Sequence, residues 1–228
     1  MAGSHYASRL PTRTVKIGIL SVQGAFAEHE AVLASLGAEP VRVRLPQHLD
    51  GLSGLILPGG ESTTMRKLID RWDLRGPILE TAERAVPIFG TCAGMILLAR
   101  HISDGDEPVF PLLDVVVKRN AFGRQRDSFE DEVDVPVLGD TPVRGVFIRA
   151  PVVERVGDGV DVLARLEDGS VVAVRQRNVM ATAFHPELAG ESRFHRLLMT
   201  MAVAYEEPAE GSGRRPHPTR RGREEAPR

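Results

Sequence analysis

Cysteine is almost missing from this sequence: Cys92 is the only one in 228 residues. A single thiol cannot close an internal disulfide, so a packed core has to hold the fold. Long apolar runs are missing too. No stretch approaches the roughly 18 consecutive apolar residues of a membrane-crossing helix, and MAGSHYASRLPTRT at the start lacks the apolar centre of a secretory leader. A cytoplasmic protein without membrane contact is expected. Charge of one sign is lacking as well: 29 basic against 31 acidic residues leave a formal net charge of -2, which gives no overall pull toward nucleic acid. No cysteine or histidine pair stands at ligand spacing, so no metal site is expected. No internal repeat is visible.

What remains is an ordinary globular composition, 42% hydrophobic and 26% charged. The length suits one large domain or two small ones. VKIGILSV, residues 15–22, is a nearly unbroken aliphatic run, the pattern of a strand buried on both faces of a parallel sheet. In QGAFAEHEAVLASLGAEP, Phe26, His29 or Glu30, Leu33 and Leu36 fall at helical spacing, with Gly37 as a helix stop. VRVRL and GLILP predict two more strands. STTMRKLIDRW opens on hydroxyl residues suited to helix capping, and a helix is expected over residues 78–85. VPIFG is a fourth strand, with AGMILLARHI as the helix after it. This alternation predicts an α/β domain, a mostly parallel sheet with helices on both faces.

The second half reads as strands: VVV at Val115, FEDEVDV, GVFIRA, DVLARL, VVAVRQ and VMATAF, separated by turn signals such as GDG and EDGS. These predict an antiparallel or mixed extension of the sheet. A closing helix is expected over residues 191–205. Residues 1–14 read as an N-terminal extension, with MAGSH open to a vector origin, and residues 206–228, poor in apolar side chains, as a disordered tail. The domain proper is thus residues 15–205.

By base rate a lone cysteine is a small core residue. The surroundings of Cys92 argue otherwise. In GTCAG, Gly90 to Gly94, a nucleophile-type residue sits between a predicted strand and a predicted helix with glycine at both second neighbours. That is the nucleophile elbow, whose tight turn leaves no room for side chains at those positions. The positive end of the following helix favours a thiolate, and the Ala93 amide is placed to donate into an oxyanion hole. Acyl transfer by a thiolate needs a base and a group that holds the base in one tautomer. His29 lies between two glutamates, His48 in a loop, His101 and His195 in predicted helices, and surface or satisfied-core roles suit them better. His185 differs, because it ends VMATAF within FHPEL, with Glu187 two residues on; residues two apart in extended chain share a side. PGGES, at the end of the GLILP strand, offers Gly60 as a second oxyanion donor.

Taken together, GILSVQGAFAEH, LPGGEST, GTCAG and FHPE resemble the class I, triad-type glutamine amidotransferases, over residues 15–205. VVVKRNAFGRQRDSFE and GVFIRAP further resemble the glutaminase subunit of pyridoxal 5'-phosphate synthase. The resemblance implies a three-layer, flavodoxin-like fold and hydrolysis of L-glutamine to glutamate and ammonia by Cys92, His185 and Glu187 through a glutamyl thioester. It implies no cofactor, and a partner: the barrel-type synthase subunit, in a hetero-oligomer of many copies of each. It places glutamine against Gly60, Glu61, Ser62, Arg119, Ile148 and Arg149, and puts Gln23 and Gly24 at the partner edge. A guanidinium fork suits an α-carboxylate. Two other readings stay open at this level: the glutaminase of another pathway, such as histidine or purine synthesis or γ-glutamyl hydrolysis, and a non-catalytic regulatory subunit.

Overall fold

The computed structural model describes residues 15–121 and 128–206. The expected N-terminal extension, nearly all of the expected tail, and FGRQRD within the fifth motif lie outside the described residues.

The first half follows the alternation read from sequence. Strands β1 (Lys16–Leu20), β2 (Glu39–Val43), β3 (Gly54–Leu57) and β4 (Ile88–Thr91) are joined by helices α1 (Phe26–Ser35), α2 (Ser62–Arg71) and α3 (Arg75–Glu83). β1 pairs in parallel with β2 and β3, and β3 with β4. Every residue of β3 and β4 is buried, which is why these strands read as continuous apolar runs rather than alternating ones. α2 buries Met65 and Ile69, one turn apart, and each such side chain contributes about 1.5–3 kcal/mol over exposure. Its cap departs from expectation. The Glu61 carboxylate, not a hydroxyl, accepts the free amides of Thr63 and Thr64 at 3.0 and 2.7 Å. A charged acceptor binds those amides more strongly than a hydroxyl, at the positive end of the helix.

AGMILLARHI is only partly helical. α4 (Ala93–Leu98) ends after six residues and the chain passes directly into strand β5 (Ala99–Ile102), which places His101 on a strand and exposed. The sheet continues with β6 (Leu113–Lys118), β9 (Val152–Val156), β10 (Asp161–Arg165), β11 (Val171–Gln176) and β12 (Val179–Thr182). The strand order is β2-β1-β3-β4-β12-β11-β9-β6-β5, with β10 beside β11. β12 pairs in parallel with β4, so the last strand completes the parallel half, while β11, β9, β6 and β10 meet through antiparallel pairings. The mixed extension is therefore present. FEDEVDV and GVFIRA are the exception, since β7 (Ser128–Val133) and β8 (Val143–Ile148) form a separate two-stranded sheet. It is anchored by stacked Phe129 and Phe147, 4.5 Å between ring centroids, and by Phe184 at 5.2 Å from Phe147.

The closing helix α5 (Arg193–Glu206) lies beside α1 on one face, where Phe194 stacks on Phe89 of β4. α4 packs on the opposite face of β4 against Gly90. Helices thus cover both faces. Among the described residues, no helix is long and apolar enough to cross a membrane.

Candidate active site

Four parallel strands, β1, β3, β4 and β12, end on one edge, and each delivers a predicted site segment there. Gln23 and Gly24 follow β1, Gly59 and Gly60 follow β3, Cys92 follows β4, and His185 and Glu187 follow β12. Carboxyl ends of a parallel sheet are where such folds bind ligands.

Cys92 occupies the turn between β4 and α4 with φ 48° and ψ -103°. A left-handed φ in a non-glycine residue costs on the order of 1–3 kcal/mol and persists only where the surroundings impose it. They do so here. The Cys92 amide donates to the Thr182 carbonyl at 2.8 Å, and a Cβ added to Gly94 would stand 2.0 Å from the Leu57 carbonyl oxygen. One added to Gly90 would meet the Gly94 carbonyl carbon at 2.7 Å. Both glycines of the elbow are thus steric requirements, as the spacing suggested. The turn leaves Cys92 6% exposed, with its sulfur 3.8 Å from the Ile148 carbonyl.

His185 is buried, its Nδ1 lies 2.7 Å from Glu187 Oε1, and the Cys92 side chain is near enough to act on its pKa. Its amide donates to Val146 of β8 at 2.8 Å, so the separate hairpin fixes the backbone of this segment. The local geometry differs from the extended link expected from FHPEL. Pro186 is helical, with φ -64° and ψ -32°, and Glu187 opens a single 3-10 turn; that turn, rather than strand alternation, brings carboxylate and imidazole together.

Burial pushes the His185 pKa down, but the neighbouring Cys92 side chain and the hydrogen-bonded Glu187 carboxylate outweigh it, raising the value to about 10 from 6.5. His29 and His195 are buried as well. Desolvation, with lesser pushes from His195 and His185, holds His29 well below 6.5, and desolvation against a small opposing pull from Glu191 brings His195 to about 4. The sign of each is definite. A raised histidine stabilises the fold fully below about 6.5 and loses that contribution as pH rises through about 10. The two lowered histidines cost nothing above about 6.5 and penalise the fold increasingly as pH falls below it, for His195 until about 4. Thermal melts from pH 4 to 10 should therefore show a maximum near pH 6.5–7, and His185→Gln should flatten the alkaline limb alone. An alkaline limb unchanged in that variant would refute the assignment of the raised value.

The oxyanion candidates sit beside the sulfur's turn. Ala93 is the first residue of α4, and among the described residues neither its amide nor that of Gly60 has a hydrogen-bond acceptor. The Gly60 segment is held by β1: Gln23 Oε1 accepts the Glu61 amide at 2.9 Å, and the Ala25 amide donates to the Gly59 carbonyl at 3.0 Å. Gly24, with φ 102°, admits no Cβ, because one would lie 2.0 Å from that same carbonyl oxygen. Gln23 and Gly24 thus shape the loop that carries Gly60.

The predicted glutamine-binding residues are less uniformly placed. Glu61 is engaged by the α2 cap, and its carboxyl is lowered to about 2, first by the Thr64 hydroxyl and then by the Thr63 and Thr64 amides against slight burial. Ser62 lines a narrow recess with Ile96 and Asp106. Arg119 reaches its rim through Asp106, 2.7 Å from Nη1, and also holds Asp104 at 2.5 Å, so two carboxylates occupy its fork. Ile148 and Arg149 follow on β8, both exposed, with Arg149 at φ 44°. Among the described residues, no cluster of three or more histidine, cysteine or acidic side chains could hold a metal ion.

Sequence reasoning passed over His29. It is fully buried, 2.8 Å from His195, 3.2 Å from Thr91 and 3.5 Å from Glu187 Oε1. The only signal was a histidine at an apolar helix position beside Phe26 and Leu33.

Known proteins resemble this chain along nearly all of its described residues. The model of the SNO glutamine amidotransferase family matches residues 19–204. The chain is 53% identical over 186 residues to the pyridoxal 5'-phosphate synthase subunit PdxT of Herpetosiphon aurantiacus, covering 80% of this chain and 98% of that protein. It is 52% identical over 198 residues to the PdxT subunit of a Nocardioides strain, covering 84% and 98%. A solved glutamine amidotransferase superposes with a TM-score of 0.77 at 46% identity, covering 82% of this chain and 98% of that one. The PurLQS structure from Thermotoga maritima shares the fold, with a TM-score of 0.62 at 20% identity over 86% of this chain and all of that one.

Proposed function

The chain belongs to the SNO glutamine amidotransferase family, and on that premise we propose that it is the glutaminase subunit of a pyridoxal 5'-phosphate synthase. It hydrolyses L-glutamine with Cys92, His185 and Glu187 and delivers the ammonia to the barrel-shaped synthase subunit. One observation carries the chemistry: the imidazole of His185 is held by the Glu187 carboxylate at 2.7 Å and is acted on by the side chain of Cys92, which sits in a turn where a Cβ at residue 90 or 94 would clash. The pathway rests on relatives at 51–53% identity named as subunits of that synthase.

The residues act in sequence. Cys92, as thiolate, attacks the side-chain amide carbon of glutamine, and the oxyanion that forms is taken up by the amides of Ala93 and Gly60. The imidazolium of His185 gives its proton to the amide nitrogen, the C–N bond breaks and ammonia leaves, with a glutamyl thioester on Cys92. His185, now neutral, takes a proton from a water that adds to the thioester carbon. Collapse breaks the C–S bond and returns the thiolate; glutamic acid departs and loses its proton to solvent. Glu187 holds His185 Nδ1 protonated, so Nε2 is the nitrogen that exchanges the moving proton. Arg119, freed from Asp104 and Asp106, is the guanidinium suited to the α-carboxylate, with Ser62, Ile148 and Arg149 around the remainder.

The synthase-dependence is tested by glutamate release from the purified chain with and without a pyridoxal phosphate synthase subunit. The expected result is little release alone and at least about tenfold stimulation by the partner, since ammonia made without an acceptor is wasted. Full release alone, or stimulation solely by a synthase of another pathway, would overturn the assignment.

A further inference from the structure

The Glu187 carboxylate is held by little. It is buried, its Oε2 has no hydrogen-bond partner among the described residues, and Oε1 alone meets polar neighbours. Those neighbours are two imidazoles: His185 Nδ1 at 2.7 Å and His29 Nε2 at 3.5 Å. His29 comes from α1, far from the nucleophile in sequence, yet its Nε2 also lies 3.2 Å from the hydroxyl of Thr91, the residue just before Cys92. That hydroxyl accepts the Gly59 amide at 3.0 Å, and Gly59 in turn is so close to the His185 ring that an added Cβ would stand 2.1 Å from Cε1.

The tautomers follow from the buried atoms left over. His195 Nδ1 has no partner among the described residues. An orphaned N–H there costs more than an orphaned lone pair, because under-satisfied acceptors are the commoner and cheaper defect. His195 therefore carries its proton on Nε2 and donates it to His29 Nδ1, 2.8 Å away. His29 must then carry its own proton on Nε2, aimed at Thr91 and flanked by the Glu187 carboxylate. The reverse assignment would also turn a lone pair toward that carboxylate. Both rings are neutral, as their burial requires. The charged groups acting on the pair are His185 and Glu187 from the segment after β12, and Glu191 on His195.

We propose that His29, oriented by His195, is a positioning residue for the glutaminase reaction: its Nε2–H fixes the Glu187 carboxylate and, through Thr91, the Gly59 backbone against which the base packs. This rests on the Cys92, His185 and Glu187 reading above. The polar neighbours of His29 are His195, Thr91 and Glu187 rather than the Cys92 thiol, and the two contacts described above reach the His185 ring through it.

The test uses the complex with the synthase subunit, measuring glutamate release for the parent, His29→Leu, His29→Asn and His29→Gln. Glutamine places an amide N–H where Nε2 stands, whereas asparagine is too short and leucine has no donor. Expected are a 10- to 100-fold fall in kcat with KM unchanged for leucine and asparagine, and kcat within about threefold of the parent for glutamine. Equal losses in all three variants, losses appearing in KM, or no loss in the leucine and asparagine variants would each overturn the proposal. If the leucine variant does not fold, the asparagine and glutamine pair decides by the same criterion. A parent complex that releases no glutamate sinks the glutaminase reading itself, an outcome distinct from an active parent with indifferent variants.

Discussion

Cys92→Ala abolishes glutamate release, by about 10⁴-fold or more, while the variant folds and binds the synthase subunit as the parent does. The size follows from the chemistry. Without the sulfur there is no thioester, and the remaining amides and imidazole can only assist direct attack by water. Integrity of the fold follows from the turn. Alanine keeps the Cβ that this backbone already carries at φ 48°, so the strain is neither relieved nor increased, and the side chain lost is a single sulfur at a site 6% exposed. The measurement is glutamate formed per complex, set against melting temperature and co-elution with the partner. Residual turnover within tenfold of the parent would show that Cys92 is not the nucleophile, whatever its geometry.

How much of this was legible in the sequence depended on whether the information was local. GTCAG could be read because an elbow is a steric rule over five residues, and the observed clashes at Gly90 and Gly94 are that rule in coordinates. β1 and β3 could be read because strands buried on both faces leave a continuous apolar run. β5 and β9 were not: ARHI carries on a helical apolar pattern, and VVERV follows a proline without clear punctuation, so their pairing with β6 decides them. The hairpin of β7 and β8 has the composition of any exposed strand pair, and nothing in it announces that its Val146 carbonyl would anchor His185. For His29 the reason is distance along the chain. Its partners are 62 and 166 residues away, and a histidine on a helix gives no sign of which strand end it will meet. Arg119 shows the converse, since its family position was readable while its engagement by Asp104 and Asp106 was not.

Gly59→Ala is expected to lower kcat by about 10²- to 10³-fold with only a small change in melting temperature. The added Cβ would lie 2.1 Å from His185 Cε1 and 2.8 Å from Nδ1, far inside ordinary contact, so one of the two groups has to move by more than 1 Å. The backbone cannot yield easily. Gly59 donates to Thr91 Oγ1 at 3.0 Å and accepts from Ala25 at 3.0 Å, two bonds that hold the loop to β4 and to the end of β1. Its φ lies outside the left-handed region, so alanine adds no backbone strain. The imidazole therefore gives way, and it swings off the line between Cys92 and Glu187. A displacement of about 1 Å in a group that must both hold and deliver a proton costs on the order of 10²-fold. Loss of kcat with the partner bound and the melt preserved would place the effect in the position of the base. A large fall in melting temperature would instead mean that the loop, rather than the ring, had moved, and normal turnover would show that His185 works from a position other than the one against Gly59.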